Sequence, residues 1–267
     1  MEKFLVAKRH LGNTGLNVSI IGLGTVKIGR NTLVKNKSSD GFELPSDKEV
    51  DTLLDVCLEY GVNLIDISPA YGTSEERLGK LLGSRRNKFI ISTKVGEEFD
   101  GEKSTYNFSK NFVTESVTRS LKRLKTSVLE SVLLHCSRND LDEIKNSSAL
   151  EALSRLKEKG DILHFGASTN SIEAGVYAVE NCDLVMVPYN KDYQEHLPVI
   201  KLAQEKNKGV LIKKGLMSGF LSENDPKNSV HECLKSIYIH PAVSSLVVGT
   251  INPNHLKENI QASLLFT

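Results

Sequence analysis

Four side chains in the first half of the sequence have the types and order needed for proton transfer. Asp66 and Tyr71 lie in "DISPAYG" (66–72), Lys94 in "STKVG" (92–96) and His135 in "LLHCS" (133–137). A phenol has a reference pKa of about 10 and is a weak donor at neutral pH unless its surroundings help it. An ammonium beside it favours the phenolate, and a carboxylate paired with that ammonium keeps it charged and in place. An imidazole nearby can orient a carbonyl oxygen or relay a proton. Such a group makes tyrosine a credible general acid for reduction of a carbonyl.

The four residues meet only if the chain brings successive strand ends to one rim. Short runs rich in Val, Ile and Leu alternate with longer helical patterns. The strands read 17–25, 62–68, 88–95, 127–137, 162–168, 184–190, 209–215 and 244–250. Helices read 48–60, 74–83, 114–124 and 149–160, and four more are expected at 172–181, 195–206, 229–239 and 253–263. Ser46 and Asp47 are cap candidates for the first helix, and Gly61 ends it. Eight unalternated strand–helix units predict a buried parallel sheet closed into a (β/α)8 TIM barrel, with residues 1–267 forming one barrel domain. The opening "KRHLGNTGLNVS" (8–19) predicts a hairpin closing the barrel bottom. In that fold Asp66, Lys94 and His135 end strands two, three and four, with Tyr71 in the loop after strand two. The stretch 29–46 is the longest loop candidate, on the same face.

Composition narrows the function. With 34 basic and 33 acidic residues the net charge is +1, which gives no reason to expect nucleic acid. Cys57, Cys136, Cys182 and Cys233 show no CxxC spacing and are expected to be reduced thiols. No apolar run is long enough for a membrane helix, and "MEKFLVAKRHLG" lacks a signal-peptide core, so a soluble cytoplasmic protein is expected. The seven histidines form no HxH or HExxH pair, which disfavours a metal-dependent barrel hydrolase, and no metal ligand is assigned. There is no GxGxxG in a βαβ setting, so a Rossmann cofactor site is not expected.

The segments "LGNTGLNVSIIGLGT", "NLIDISPAYGTSEERLG", "STKVG", "SLKRL", "LLHCS", "LKEKGDILHFGAS" and "VVGTINPNHLKENI" together resemble the aldo-keto reductase family over nearly the whole chain. The resemblance implies hydride transfer between a nicotinamide dinucleotide and a carbonyl or alcohol. It casts Tyr71 as proton donor, Lys94 as the group lowering its pKa, Asp66 as the ion partner of Lys94 and His135 as orienter. It also implies that Gly24 and Thr25 meet the cofactor after the first strand, and that Ser168 and Thr169 meet its carboxamide. Lys213 falls where the family stacks an aromatic ring on nicotinamide. In the last junction Gly249, Thr250, Asn252 and His255 match the adenosine-phosphate segment, and Glu258 and Asn259 match the adenine pair. NADP is the expected cofactor, with NAD as the alternative, and the partner is a small-molecule carbonyl compound.

The pattern departs at several of these positions. Thr169 replaces the usual asparagine, with Asn170 next to it; Met186 replaces a glutamine; Lys213 replaces a tyrosine. Gly249 and His255 stand where relatives that prefer NADP place Lys or Arg, although Lys257 lies nearby. The chain stops at Thr267, soon after the last helix, which suggests an open pocket bordered by 29–46 and 94–109. Lys27, Arg30, Phe99, Tyr106, Phe108 and Tyr189 are candidate lining residues. A reductase of aldehydes, ketones or sugars is the leading reading. A non-enzymatic or regulatory nicotinamide-binding barrel is the alternative, and oligomeric state is not legible.

Overall fold

A computed structural model describes residues 4–34, 42–217 and 229–266, so part of the 29–46 loop lies outside the described residues. An antiparallel hairpin comes first, β1 (Lys8–His10) and β2 (Asn17–Ser19). It is followed by β3 (Ile21–Gly24), α1 (Val26–Gly29), α2 (Asp47–Glu59), β4 (Leu64–Asp66), α3 (Ser74–Leu81) and β5 (Ile90–Val95). A second hairpin, β6 (Glu97–Phe99) and β7 (Ser104–Tyr106), precedes α4 (Lys110–Arg123). Next are β8 (Leu129–His135), α5 (Asp140–Lys145), α6 (Ala149–Lys159), β9 (Ile162–Ser168) and α7 (Ile172–Asn181). The chain continues through β10 (Leu184–Pro188), α8 (Leu197–Glu205), β11 (Gly209–Lys213), α9 (Val230–Tyr238), β12 (Val243–Val248) and α10 (Pro253–Ser263).

Strands β3, β4, β5, β8, β9, β10, β11 and β12 pair in parallel, in that order, and β12 returns to β3 to close the barrel. The strands are buried on both faces, as a parallel sheet wrapped by helices requires. Leu64, Leu133, Met186 and Leu211 fill the barrel interior, joined by Leu11 and Val18 from the first hairpin. The Ser244 hydroxyl donates to the His10 carbonyl at 2.9 Å, and Asn13 N donates to Asn207 O at 3.0 Å, which seats the hairpin over the strand N-termini.

The run 17–25 is two strands rather than one. Ser19 N donates to Asn63 Oδ1 at 2.7 Å and the Ser19 hydroxyl donates to Ile21 O at 2.7 Å, so the chain turns there from hairpin to barrel. α2 starts on a capping box in which Ser46 Oγ accepts from Glu49 N and Glu49 Oε2 accepts from Ser46 N. The four cysteines are free and buried. Burial pushes the thiols of Cys57 and Cys182 up to about 12.

Two glycines lock the loop that carries Tyr71 against α1. Gly72 has φ +59°, and a Cβ there would stand 2.1 Å from the Gly29 carbonyl oxygen. A Cβ on Gly29 would stand 2.2 Å from Ser74 N. Across this contact Thr73 N donates to Gly29 O at 3.2 Å, the Ser74 hydroxyl to Thr25 O at 2.7 Å and Arg30 Nη1 to Ala70 O at 3.0 Å. Replacing Gly72 with Ala combines left-handed strain with a backbone clash. We expect Gly72→Ala to lose about 1–3 kcal/mol of stability, seen as a lower urea midpoint. A variant with the wild-type midpoint would show that the two loops are not locked.

Candidate active site at the barrel mouth

Asp66 ends β4, Lys94 is the penultimate residue of β5 and His135 ends β8, all at strand C-termini. Because the strands are parallel and closed, these ends share one rim, and Tyr71 reaches it from the loop after β4. All four side chains line one cavity of about 460 Å³, counting space open to solvent. Gly24, Thr25, Val26, Ser168, Met186, Lys213, Val247 and Gly249 complete its wall.

An ion pair stands at the floor. Lys94 is 1% exposed and Asp66 3%. The ammonium donates to Asp66 Oδ1 at 2.5 Å and to the Ile67 carbonyl at 3.0 Å. The Tyr71 hydroxyl donates to the second carboxylate oxygen, Asp66 Oδ2, at 3.4 Å, and Lys94 Nζ sits 4.8 Å from the Tyr71 ring centroid. Burial, with the carboxylates of Asp66 and Glu97, holds the phenol well above its usual value, against the charge of Arg30. Burial likewise lowers the Lys94 ammonium against the opposing pull of Asp66. The arrangement keeps Tyr71 protonated. Such a phenol remains far more acidic than an aliphatic alkoxide's conjugate acid, so it can still donate to developing negative charge.

Sequence reasoning missed Glu97. Its Oε2 lies 2.8 Å from His135 Nδ1, and the Ser68 hydroxyl lies 3.4 Å from the same nitrogen. Burial favours the neutral acid, but hydrogen bonds from His135 and Ser104, with the charge of Arg30, hold the Glu97 carboxyl down to about 2. Burial keeps the His135 imidazole below its usual value despite Glu97, with the charges of Lys94 and Lys213 acting in the same direction. The second hairpin, which the sequence presents only as part of the 94–109 loop, is what carries this carboxylate to the rim. The signal was an acid three residues after Lys94, just past the strand.

The opposite wall is also polar. Lys213 Nζ donates to Ser168 Oγ at 3.0 Å and to Asn170 Oδ1 at 3.2 Å. Asn170 is oriented by its own amide, which donates to Ser137 O at 2.9 Å and to Cys136 O at 3.3 Å. The buried Asp140 carboxylate fixes that turn by accepting from Asn170 N, Ser171 N and the Ser171 hydroxyl. Among the described residues no carboxylate pairs with Lys213. Burial, with the neighbouring Lys214 charge, lowers its ammonium to about 7.

Comparison with known proteins places the chain in a family. Residues 20–236 match the model of the Aldo/keto reductase family. The chain belongs to that family. This aldo-keto reductase resembles an uncharacterized oxidoreductase, YqkF, of Bacillus subtilis, with 29% identity over 96% of this chain and 90% of the relative. It is 27% identical to L-galactose dehydrogenase of Arabidopsis thaliana, over 95% and 87% of the two chains. A solved putative aldo-keto reductase from Pseudomonas aeruginosa superposes with a TM-score of 0.88 at 40% identity, covering 98% of this chain and 97% of that one.

Of the other residues expected from the sequence to meet a cofactor, Gly24, Thr25, Ser168, Lys213 and Gly249 border the cavity and the rest do not. The buried Thr169 hydroxyl faces Gly175 of α7, 3.4 Å from where a Cβ on that glycine would stand, and finds no partner among the described residues. Thr250 accepts from Asn252 N, and Asn252 caps α10 by accepting from Asn254 N at 2.9 Å. His255 and Glu258 are exposed on α10, whereas Asn259 is buried. Lys257 turns away from the rim, with its Nζ 5.9 Å from the Tyr60 ring centroid.

None of the six candidate lining residues borders the cavity itself. Arg30 stacks 3.6 Å over Phe99, Tyr106 stacks on Phe108, and Lys27 Nζ lies 5.6 Å from the Phe42 ring centroid. Tyr189 is buried, with its hydroxyl 2.9 Å from His240 Nε2. Among the described residues no helix is long and apolar enough to cross a membrane.

The buried pair makes a stability test. Lys94→Met leaves the Asp66 charge buried without its partner, and we expect a loss of about 3–5 kcal/mol in chemical denaturation. Adding Asp66→Asn should recover part of it. A double variant no more stable than Lys94→Met alone would show that charge pairing is not what the site depends on.

Proposed function

We propose that this protein is an NAD(P)H-dependent reductase of an aldehyde, ketone or sugar carbonyl, with Tyr71 as proton donor. The observation that carries the proposal is the convergence of a protonated phenol, a buried Asp66–Lys94 pair and an imidazole on one cavity. A bound nicotinamide dinucleotide supplies the hydride. The residues present fit it in part: the Ser168 hydroxyl and Lys213 ammonium face the cavity as donors that would hold its carboxamide end, and exposed Gly249 leaves room beside α10 for its phosphates. Tyr71 gives its proton to the oxygen that gains charge, and Asp66 and Lys94 hold the loop and its electrostatics fixed while that happens. The dehydrogenase name of the Arabidopsis relative supports the same chemistry run toward oxidation.

Tyr71→Phe is expected to lower turnover about 10²–10⁴-fold with nearly unchanged cofactor affinity, measured by fluorescence titration and steady-state rates on a panel of carbonyl compounds. Wild-type turnover in that variant would overturn the assignment. The regulatory reading draws on one observation, the engagement of Ser168 and Asn170 by Lys213. It predicts cofactor binding with no hydride transfer to any member of the panel.

Cofactor discrimination is expected to be weak. No Lys or Arg stands at Gly249 or His255, and Lys257 is turned toward Tyr60. Each hydrogen bond to a charged group is worth roughly 1.5–3 kcal/mol, so losing two removes most of a preference for the 2′-phosphate. Parallel titrations should give dissociation constants for NADPH and NADH within about tenfold, and His255→Arg should widen the gap. A strong NADPH preference in the unmodified protein would mean that another basic residue clamps the phosphate.

A further inference from the structure

The unassigned carboxylate at the rim is Glu97, and its contact is specific to one ring nitrogen. Its Oε2 is 2.8 Å from His135 Nδ1, a distance no ring carbon would tolerate, so the ring orientation is fixed. A carboxylate only accepts, so the proton of a neutral imidazole is drawn to Nδ1. Nε2 has no protein partner among the described residues, and the ring borders the cavity. We infer that Glu97 is a positioning residue that holds His135 with its Nε2 lone pair toward the cavity, so that the ligand favoured there presents a hydroxyl group: an alcohol or the hemiacetal of a cyclic sugar.

This deepens the reading of the site given above and rests on it for the chemistry, though not for the tautomer. A carbonyl oxygen has no proton to give to Nε2 and gains nothing from a neutral His135. It gains a donor only when the ring becomes imidazolium. A hydroxyl donates to the neutral ring and can turn to accept from the imidazolium, so it keeps a partner in both states. The site should therefore favour the reduced, hydroxyl form above the His135 pKa, and the carbonyl form should gain on it below that pKa. The effect lies in binding, since a catalyst leaves the ratio of forward to reverse kcat/KM fixed by the reaction equilibrium at each pH.

The groups facing the ring pull in opposite directions. Glu97 favours imidazolium, whereas burial and the positive charges of Lys94 and Lys213 oppose it, and the net direction is toward the neutral ring near pH 7. Tyr71 stands edge-on, with ring centroids 6.1 Å apart, and stays protonated. Glu97 is itself held by Ser104 and Tyr106 of the second hairpin and lies in the field of Arg30, so it remains an anion across the working range. The second hairpin thus sets the hydrogen-bond polarity of the cavity.

The test is nitrogen NMR of ¹⁵N-histidine-labelled protein at pH 8 without ligand, with the His135 signals assigned by their loss in His135→Asn. The expected result is a protonated Nδ1 and a bare Nε2. A glutamine can turn its amide toward Nδ1, so Glu97→Gln should move a substantial share of the proton to Nε2. In the unmodified protein the KM of the carbonyl compound should fall as pH drops through the His135 titration, while that of the matching alcohol or hemiacetal changes much less. In Glu97→Gln this difference in pH dependence between the two forms should shrink. A proton on Nε2 in the unmodified protein would overturn the inference even if Glu97→Gln failed to fold. So would the same tautomer in both proteins, or KM values for the two substrate forms that change in parallel with pH. The tautomer is read without cofactor or substrate, so its failure is separate from a failure of Tyr71→Phe to lower turnover.

Discussion

The buried pair of Asp66 and Lys94 is the constraint around which the barrel mouth is arranged. Two charges removed from water are tolerated only with close geometry and further hydrogen bonds. The chain provides both by ending β4 and reaching the last turn of β5 at the same level, where register pairs Asp66 with Ser92 and leaves Lys94 to reach across. The Ile67 carbonyl takes a further ammonium proton, and Asp66 spends its second oxygen on Tyr71. Any shift of one strand against the other by a residue would turn one of these side chains to the helix layer, because side chains alternate along a strand.

Much of this was legible in the sequence. The eight strands stood out because both their faces are apolar, and β9, α7 and α10 fall at the bounds that periodicity gives. Residues at strand ends were legible for the same reason: a closed parallel barrel sends every C-terminal end to one rim. Partners from outside that repeat were not. The second hairpin is three residues per strand, too short for alternation to register, so Glu97 had no visible route to His135. The six-residue α5, which delivers Asp140 to the Asn170 turn, was missed for the same reason.

The electrostatic roles were the least legible part. Spacing says that Asp66 and Lys94 are near each other, but not that the ammonium also meets the Ile67 carbonyl while the second oxygen of Asp66 takes the Tyr71 hydroxyl. Likewise the substitution of Lys213 for an aromatic ring reads as a loss in sequence, whereas in the fold it supplies a donor that reaches across to Ser168. Tyr189 shows the converse: its place just beyond β10 suggested the rim, yet it is buried and paired with His240.

The fate of the cysteines has a chemical consequence. Thiolates add readily to aldehydes and to other electrophilic carbon, and the thiolate rather than the thiol is the reactive form. All four sulfurs in the chain are buried, and their acidities are suppressed by the apolar surroundings. The thiols are therefore no ready trap for an electrophile, and a nucleophile that borders the cavity is instead the amine of Lys213, whose ammonium burial and the Lys214 charge lower to about 7. Resistance to electrophiles at sulfur thus rests on packing, even at Cys136, which follows directly on His135 yet is buried.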